Sequence, residues 1–148
     1  MVNKIIKEMA TTIKFRGVPL DDYSHDANVD FDGTFIYGNY EKVGDDVLIS
    51  SGKIDVEGIF IPDLFAKVDP KTVGQFTGLK DVNGKDIYEG DLVRLTDDLE
   101  DPIYKVIFDE AKFEIIGGWV CYDLGEDFMD CEVIGNVHEN PELLEADK

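Results

Sequence analysis

The sequence predicts an all-β (mainly β) protein in two parts. An N-terminal β sub-domain over residues 1–71 is expected to pack on a C-terminal SH3-like small barrel over residues 72–148. Three observations lead there. Short apolar and aromatic runs recur along the chain, each bounded by Gly, Pro, Asn or Asp. An Asn83-Gly84 pair sits just ahead of an alternating run, and Asn-Gly is the strongest short hairpin signal, because both central residues of a type I′ turn take positive φ. Helical spacing is confined to two short stretches. With 148 residues, 43 % of them hydrophobic and 11 % aromatic, the chain can bury a core.

Each element has its own signal. Val2, Ile5, Ile6 and Met9 are spaced for a short amphipathic helix. Thr11 to Leu20 reads as a strand that opens on Ile13 and Phe15 and stops at Pro19. Asp21 to Asp32 is polar and reads as a loop. Thr34 to Tyr40 is an aromatic strand, and Gly44-Asp45-Asp46 turns it back into Val47-Leu48-Ile49. Gly58 to Ile61 and Leu64 to Val68 are expected as two strands broken by Pro62-Asp63, and Asp69-Pro70 closes the first half. Thr72 to Thr77 leads into the Asn83-Gly84 turn. Asp91 to Thr96 alternates, with Leu92 inward, and Asp97 to Pro102 is an acidic loop. Ile103 to Phe108 and Lys112 to Ile116 flank the short connection Asp109-Glu110-Ala111. Gly117-Gly118 is expected to make a bulge or kink before Trp119 to Tyr122. Cys131 to Ile134 completes the set. Pro141 to Glu145 fits one helical turn, with Asn140 as its cap and Pro141 in the first position.

Charge is the strongest compositional signal. The chain holds 14 basic and 33 acidic residues, a net of −19. Within residues 1–16, Lys4, Lys7, Lys14 and Arg16 stand against Glu8 alone, a net of +3. The remainder carries 10 basic and 32 acidic residues, a net of −22. Such a surface repels nucleic-acid phosphates and attracts basic partners. It also keeps a small β-rich protein soluble. No apolar run is long enough to span a membrane, and the N-terminus lacks the apolar core of a signal peptide, so a cytoplasmic protein is expected. Cys121 and Cys131 supply too few ligands for zinc. In a reducing compartment they are expected as two small, partly buried thiols on neighbouring strands.

Three blocks carry a family resemblance. The first is DPKTVGQFTGLKDVNGKDIYEGDLVR, Asp69 to Arg94. The second is Glu132-Val133-Ile134-Gly135-Asn136-Val137-His138-Glu139-Asn140-Pro141-Glu142-Leu143-Leu144. The third is the opening Ile13-Lys14-Phe15-Arg16. In this order they resemble the YopX proteins encoded by phages and prophages. The resemblance implies an accessory protein of the host bacterial cytoplasm and a homo-oligomer, and it brings no biochemical activity with it.

Signals of chemistry are weak. Asn28, Asp30 and Asp32, followed by Gly33, match the first half of a calcium loop. The twelfth position, which should be Glu, is Asn39, so these three are weak metal candidates and an Asp-rich turn is the better reading. His25 lies among Asp21, Asp22, Asp26 and Asp30, without a nucleophile placed beside it by any motif. His138 is expected to tie the final turn to the barrel. Paired carboxylates are too abundant to be diagnostic, since turns favour Asp. The sequence contains no P-loop, dinucleotide fingerprint, zinc spacing or nucleophile elbow. Gly78 and Gly84 are expected at positive φ. Gln75, Thr77, Lys80 and Arg94 form a possible interaction face, or else satisfy backbone groups in turns.

The expected function is therefore non-enzymatic and cofactor-free, exercised through protein–protein contact, with no direct nucleic-acid or membrane partner. Two alternatives come from the same residues. The acidic surface suits a mimic of DNA that inhibits a DNA-binding protein. The Asp21–Asp32 cluster suits, less well, a metal-dependent hydrolase.

Overall fold

A computed structural model describes residues 13–24, 26, 29–54 and 56–145, with side chains left aside at 51–54 and 60–64. The expected helix at Val2 to Met9 lies outside the described residues, as do His25 and Asn28. The chain is mainly β, as its sequence predicts. It forms antiparallel sheets, one of them a curled half-barrel that fits a small-barrel fold. It divides into two compact units, Met1–Gln75 and Phe76–Lys148.

In the first unit β1 (Phe15–Gly17) lies between β2 (Ile36–Val43) and the start of β5 (Gly74–Lys80). β3 (Asp46–Ile54) pairs with β2 and with β4 (Phe60–Val68). The sequence suggested two strands around Pro62-Asp63, yet β4 is continuous. Ser51 faces Leu64 and Gly52 faces Pro62, so Asp63 is the extra residue of a bulge. β4 is an edge strand, whose outward-facing N–H groups bond no other strand, and a bulge frees a further one, so a proline is tolerated in this ladder. Val29, Ile36, Val47, Ile49, Ala66 and Val68 form the core. Gly17 packs on Val68, and Gly38 packs so closely on β3 that an added Cβ would overlap the Ser50 carbonyl oxygen. Asp69 starts a single 3-10 turn, Pro70–Thr72, and its side chain accepts from the Lys71 N–H. The Thr72 hydroxyl accepts from the Val18 N–H at 2.8 Å and donates to the Asp69 carbonyl, which fixes this corner to β1.

In the second unit a five-stranded sheet runs in the order β10-β9-β8-β7-β11. Its strands are β7 (Asp91–Arg94), β8 (Tyr104–Asp109), β9 (Lys112–Gly117), β10 (Val120–Asp123) and β11 (Glu132–Asn136). β5 continues here and pairs with β6 (Asp86–Tyr88). β7 does not alternate as predicted. Asp91, Leu92 and Val93 are all buried, because this strand lies between β8 and β11 inside the sheet. The core is Ile87, Val93, Tyr104, Val106, Ile115, Leu124 and Cys131, flanked by Leu79, Leu95, Phe113, Phe128 and Val133.

Three turns differ in detail from their sequence signals. At Asn83-Gly84 only Gly84 takes positive φ, at +82°. Asp81 and Lys85 bracket the loop through Asp81 N–H to Lys85 carbonyl (2.8 Å), and Gly84 N–H closes on the Asp81 carbonyl (3.0 Å). This is a longer loop with one left-handed residue, in place of the expected type I′ pair. The type I′ geometry occurs instead at Glu110 (φ +50°) and Ala111 (φ +66°), the two residues between Asp109 and Lys112. Gly117-Gly118 makes no bulge. Gly117 pairs with Val120, and Gly118 (φ +56°) and Trp119 form a two-residue hairpin turn. A helical segment unmarked in the sequence follows β10: an α-turn at Leu124–Asp127, then a 3-10 turn at Phe128–Asp130. Asp123 caps it by accepting from the Gly125 N–H, and Leu124 anchors it in the core. The predicted helical turn near the C-terminus is present at Glu142–Glu145.

Candidate functional site

The polar residues of the two long sequence blocks converge on the framework of the second unit. Asp81 is the first node. One of its carboxylate oxygens accepts the Asn83 and Lys85 N–H groups at 2.9 and 2.8 Å. The other reaches 52 residues along the chain to the Val133 N–H at 2.9 Å. Beside it, the Val82 N–H donates to the Cys131 carbonyl. The hairpin loop is thus clipped to the side of β11 that does not face β7. Burial alone would raise the Asp81 pKa. The donors from Val133, Lys85 and Asn83, with the charge of Lys85, reverse that and hold it below the ordinary carboxylate value.

Asp91 is the second node. It is buried and accepts the Tyr88 N–H at 2.7 Å across the tight turn Glu89-Gly90. Gly90 (φ +92°) donates its N–H to the Val106 carbonyl and accepts from the Val137 N–H. The Glu89-Gly90-Asp91 sequence therefore joins β7, β8 and the end of β11 through backbone groups. Asn136 is the third node. Its side-chain oxygen accepts from His138 and Glu139 N–H at 3.0 and 2.9 Å, and its amide donates to Glu139 Oε1 at 2.8 Å. Asn140 does not cap the last helical turn with its side chain as predicted. Its Oδ1 accepts the Asn136 N–H, while its own N–H returns to the Asn136 carbonyl. The close approach of Asn140 explains Gly135, where an added Cβ would lie 2.5 Å from Asn140 Oδ1.

The four residues singled out as an interaction face have different roles. The Thr77 hydroxyl donates to the Ile87 carbonyl at 2.8 Å and accepts from Leu79 N–H, so it serves the β5–β6 pair. Lys80 is exposed and pairs with Asp86 at 2.7 Å, across the same two strands. Gln75 lies in β5 where it pairs with Phe15. Arg94 ends β7 opposite Glu132 and lines an open groove with Val82, Leu95, Thr96, Asp97 and Asp130.

The described residues of the Asp21–Asp32 stretch are held by local hydrogen bonds in the first unit. Asp32 accepts from the Thr34 and Phe35 N–H groups at 2.9 and 2.7 Å and from the Tyr37 hydroxyl. Burial opposes ionisation, yet these donors and the nearby Arg16 charge lower its pKa on balance. Arg16 is buried, with its guanidinium carbon 4.1 Å from the centre of the Phe35 ring. Asp22 accepts from Ser24 N–H, and the Asp30 carbonyl from Tyr37 N–H. Both Asp32 oxygens are thus engaged in shaping the turn. Among the described residues, no three His, Cys, Asp or Glu side chains are placed to hold a metal ion.

The cysteines are not on neighbouring strands. Cys121 is exposed on the edge strand β10 and donates to Glu114 Oε2 at 3.2 Å, which raises its pKa. Cys131 is buried just before β11, at the opposite end of the strand order. Burial, then the charges of Asp127, Asp130 and Asp81, push its thiol up to about 12. Tyr104 is also shifted upward, by burial and by its 2.9 Å hydrogen bond to Asp101. All three shifts favour the protonated form of the group.

The surface is more distinctive than the interior. Trp119 is fully exposed at the tip of the β9–β10 hairpin. Val120 and Tyr122 on one face of the hairpin and Ile116 on the other are partly exposed, and Phe108 is exposed at the far end of the β8–β9 pair, opposite Phe113. The sequence reading places Trp119 only at the start of the strand Trp119 to Tyr122. Its placement in a two-residue turn, where no core position exists, is what marks it. Among the described residues no helix is long and apolar enough to cross a membrane.

Comparison with known proteins agrees with the two long sequence blocks. The crystal structure of protein EF1440 from Enterococcus faecalis is similar at 23 % identity with a TM-score of 0.47, covering 91 % of this chain and 99 % of that one. No curated protein matches. A family model, described as YopX protein, matches residues 24–145, which include the whole of both long blocks. The chain belongs to the YopX family.

Proposed function

We propose that this protein is a phage or prophage accessory factor that works by binding other proteins and catalyses no reaction. The observation that carries the reading is Trp119, fully exposed at the tip of the β9–β10 hairpin, on a chain of strongly negative charge. A fully exposed Trp in a tight turn contributes nothing to the fold, while Trp is among the residues that dominate binding energy when a partner covers it. The negative charge selects basic partners and speeds their encounter. The polar groups most suggestive of chemistry, Asp32, Thr77, Asp81, Asp91 and Asn136, are engaged with backbone donors and acceptors.

Affinity capture from host lysate tests this, with the wild type compared against Trp119→Ala. The reading expects a reproducible basic partner that is captured by the wild type, weakened by raised salt and lost with Trp119→Ala. Recovery of the same proteins by both forms, at every salt concentration, would contradict it.

A further inference from the structure

The five-stranded sheet has two unlike edges. At the β11 end the outward groups are occupied. The Asp81 carboxylate accepts the Val133 N–H, and the Val82 N–H donates to the Cys131 carbonyl. At the other end β10 pairs with β9 alone among the described residues. Gly117 and Val120 flank the two-residue turn and so form a hydrogen-bonded pair, which makes Cys121 and Ile116 the next, non-hydrogen-bonded pair. The Cys121 N–H and carbonyl therefore point away from β9, at an open edge. β10 carries no proline, lysine or bulge to blunt that edge.

The side chains along this edge are half-covered. Val120 and Tyr122 lie on the core side, opposite buried Gly117 and Ile115, and the Tyr122 ring is 5.8 Å from that of buried Tyr104. Yet they are 37 % and 39 % exposed, while Val93, Val106 and Ile115 further into the sheet are buried. A further strand beside β10 would cover them. The other face is acidic. Lys112 lies 3.8 Å from Glu114 and 3.9 Å from Asp123, one cation against two carboxylates. Residues 109–130 hold seven acidic residues and one basic, a net of −6.

We propose that β10 receives an extended segment of another protein, one that alternates apolar and basic residues and adds to the sheet as a further strand. Its backbone bonds the outward groups of Cys121. Its apolar side chains cover Val120 and Tyr122, and the lysines or arginines between them meet Asp123 and Glu114 on the other face. The chain's net charge draws such a segment in. The inference rests on the protein-binding reading above and names the chemistry of its partner.

The probe is a capped peptide of alternating lysine and valine, about the length of one strand, titrated into the full-length chain and followed by amide NMR. The signals of Val120 to Asp123 are expected to shift, exchange at the Cys121 amide to slow, and raised salt to weaken binding. Cys121→Pro removes the outward N–H and leaves the β9 ladder intact, so it should bind about tenfold more weakly or worse, whereas Cys121→Val should bind like the wild type. If the proline variant fails to fold, Cys121→Lys decides instead, since a cation on the edge should repel the peptide by a similar factor. A peptide of alternating glutamate and valine should not bind. No binding of the lysine peptide to the wild type overturns the inference. So does equal binding by the valine variant and the proline or lysine variant, or binding of the glutamate peptide as tight as that of the lysine one. A wild-type dimer in sedimentation velocity that these edge variants dissociate also overturns it, because the edge then belongs to a second copy. Lysate capture that is lost with Trp119→Ala but kept by the edge variants would remove β10 from the account while the protein-binding reading stands.

Discussion

The Asp81 carboxylate accepts the backbone N–H of Val133 at 2.9 Å, joining a hairpin loop to a strand 52 residues away. The same carboxylate holds its own loop through Asn83 and Lys85. Stability should therefore depend on pH in a defined direction. Asp81 and Asp32 both have folded-state pKa values below those of the unfolded chain. Their contribution is complete above the ordinary carboxylate range and is lost as pH falls through the folded values. Urea unfolding at a series of pH values should show stability declining below the ordinary carboxylate range, with a smaller decline in Asp81→Asn. An identical acid profile in that variant would remove Asp81 from the account.

Two glycines should resist substitution for steric reasons. Gly38→Ala brings a Cβ onto the Ser50 carbonyl at a backbone φ of +157°. Gly135→Ala forces Asn140 away from Asn136. Each is expected to cost about 1–3 kcal/mol by overpacking, with Gly38→Ala the worse because backbone yields less than a side chain. Gly44→Ala, which has open space around it, should pay only for its φ of +63°, about 1–2 kcal/mol. Thermal unfolding of the three variants checks the order.

The β8–β9 turn offers a stabilising change. Glu110 and Ala111 occupy left-handed backbone that L side chains disfavour. Glu110→Asn with Ala111→Gly supplies the preferred type I′ pair and should raise stability by about 1 kcal/mol. No gain in unfolding midpoint would mean that local contacts of Glu110 already offset the strain.

How much of this was legible in the sequence depends on whether the signal was local. The β class, the β9 pairings and the final helical turn follow from alternation and turn residues close to them. The Asn83-Gly84 loop is the hairpin its sequence predicts but with a different turn, because Asp81 takes the neighbouring donors and favours a longer loop. The Leu124–Asp130 helical segment was missed because four helical residues are too few to show a period; only Asp123 as a cap hinted at it. The nodes at Asp81, Asp91 and Asn136 were invisible as a set. Their partners lie far along the chain or on the backbone, where side-chain patterns carry no mark.

The two thiols should separate cleanly. Cys121 is exposed and Cys131 is buried with its pKa near about 12. A thiol reagent at mildly alkaline pH is expected to modify one cysteine per native chain and the second only after unfolding, with Cys121→Ser abolishing the native reaction. Reaction of both in the native state would contradict the buried placement of Cys131.

The central claim is that the polar residues of the long sequence blocks hold the fold together while exposed residues meet partners. Urea unfolding of Asp81→Ala beside Asp97→Ala tests it most directly. Removing the Asp81 carboxylate leaves the Val133 donor unsatisfied and should cost about 2–4 kcal/mol, while the exposed Asp97 should change stability by no more than about 0.5 kcal/mol. Equal and small effects at the two positions would contradict the account.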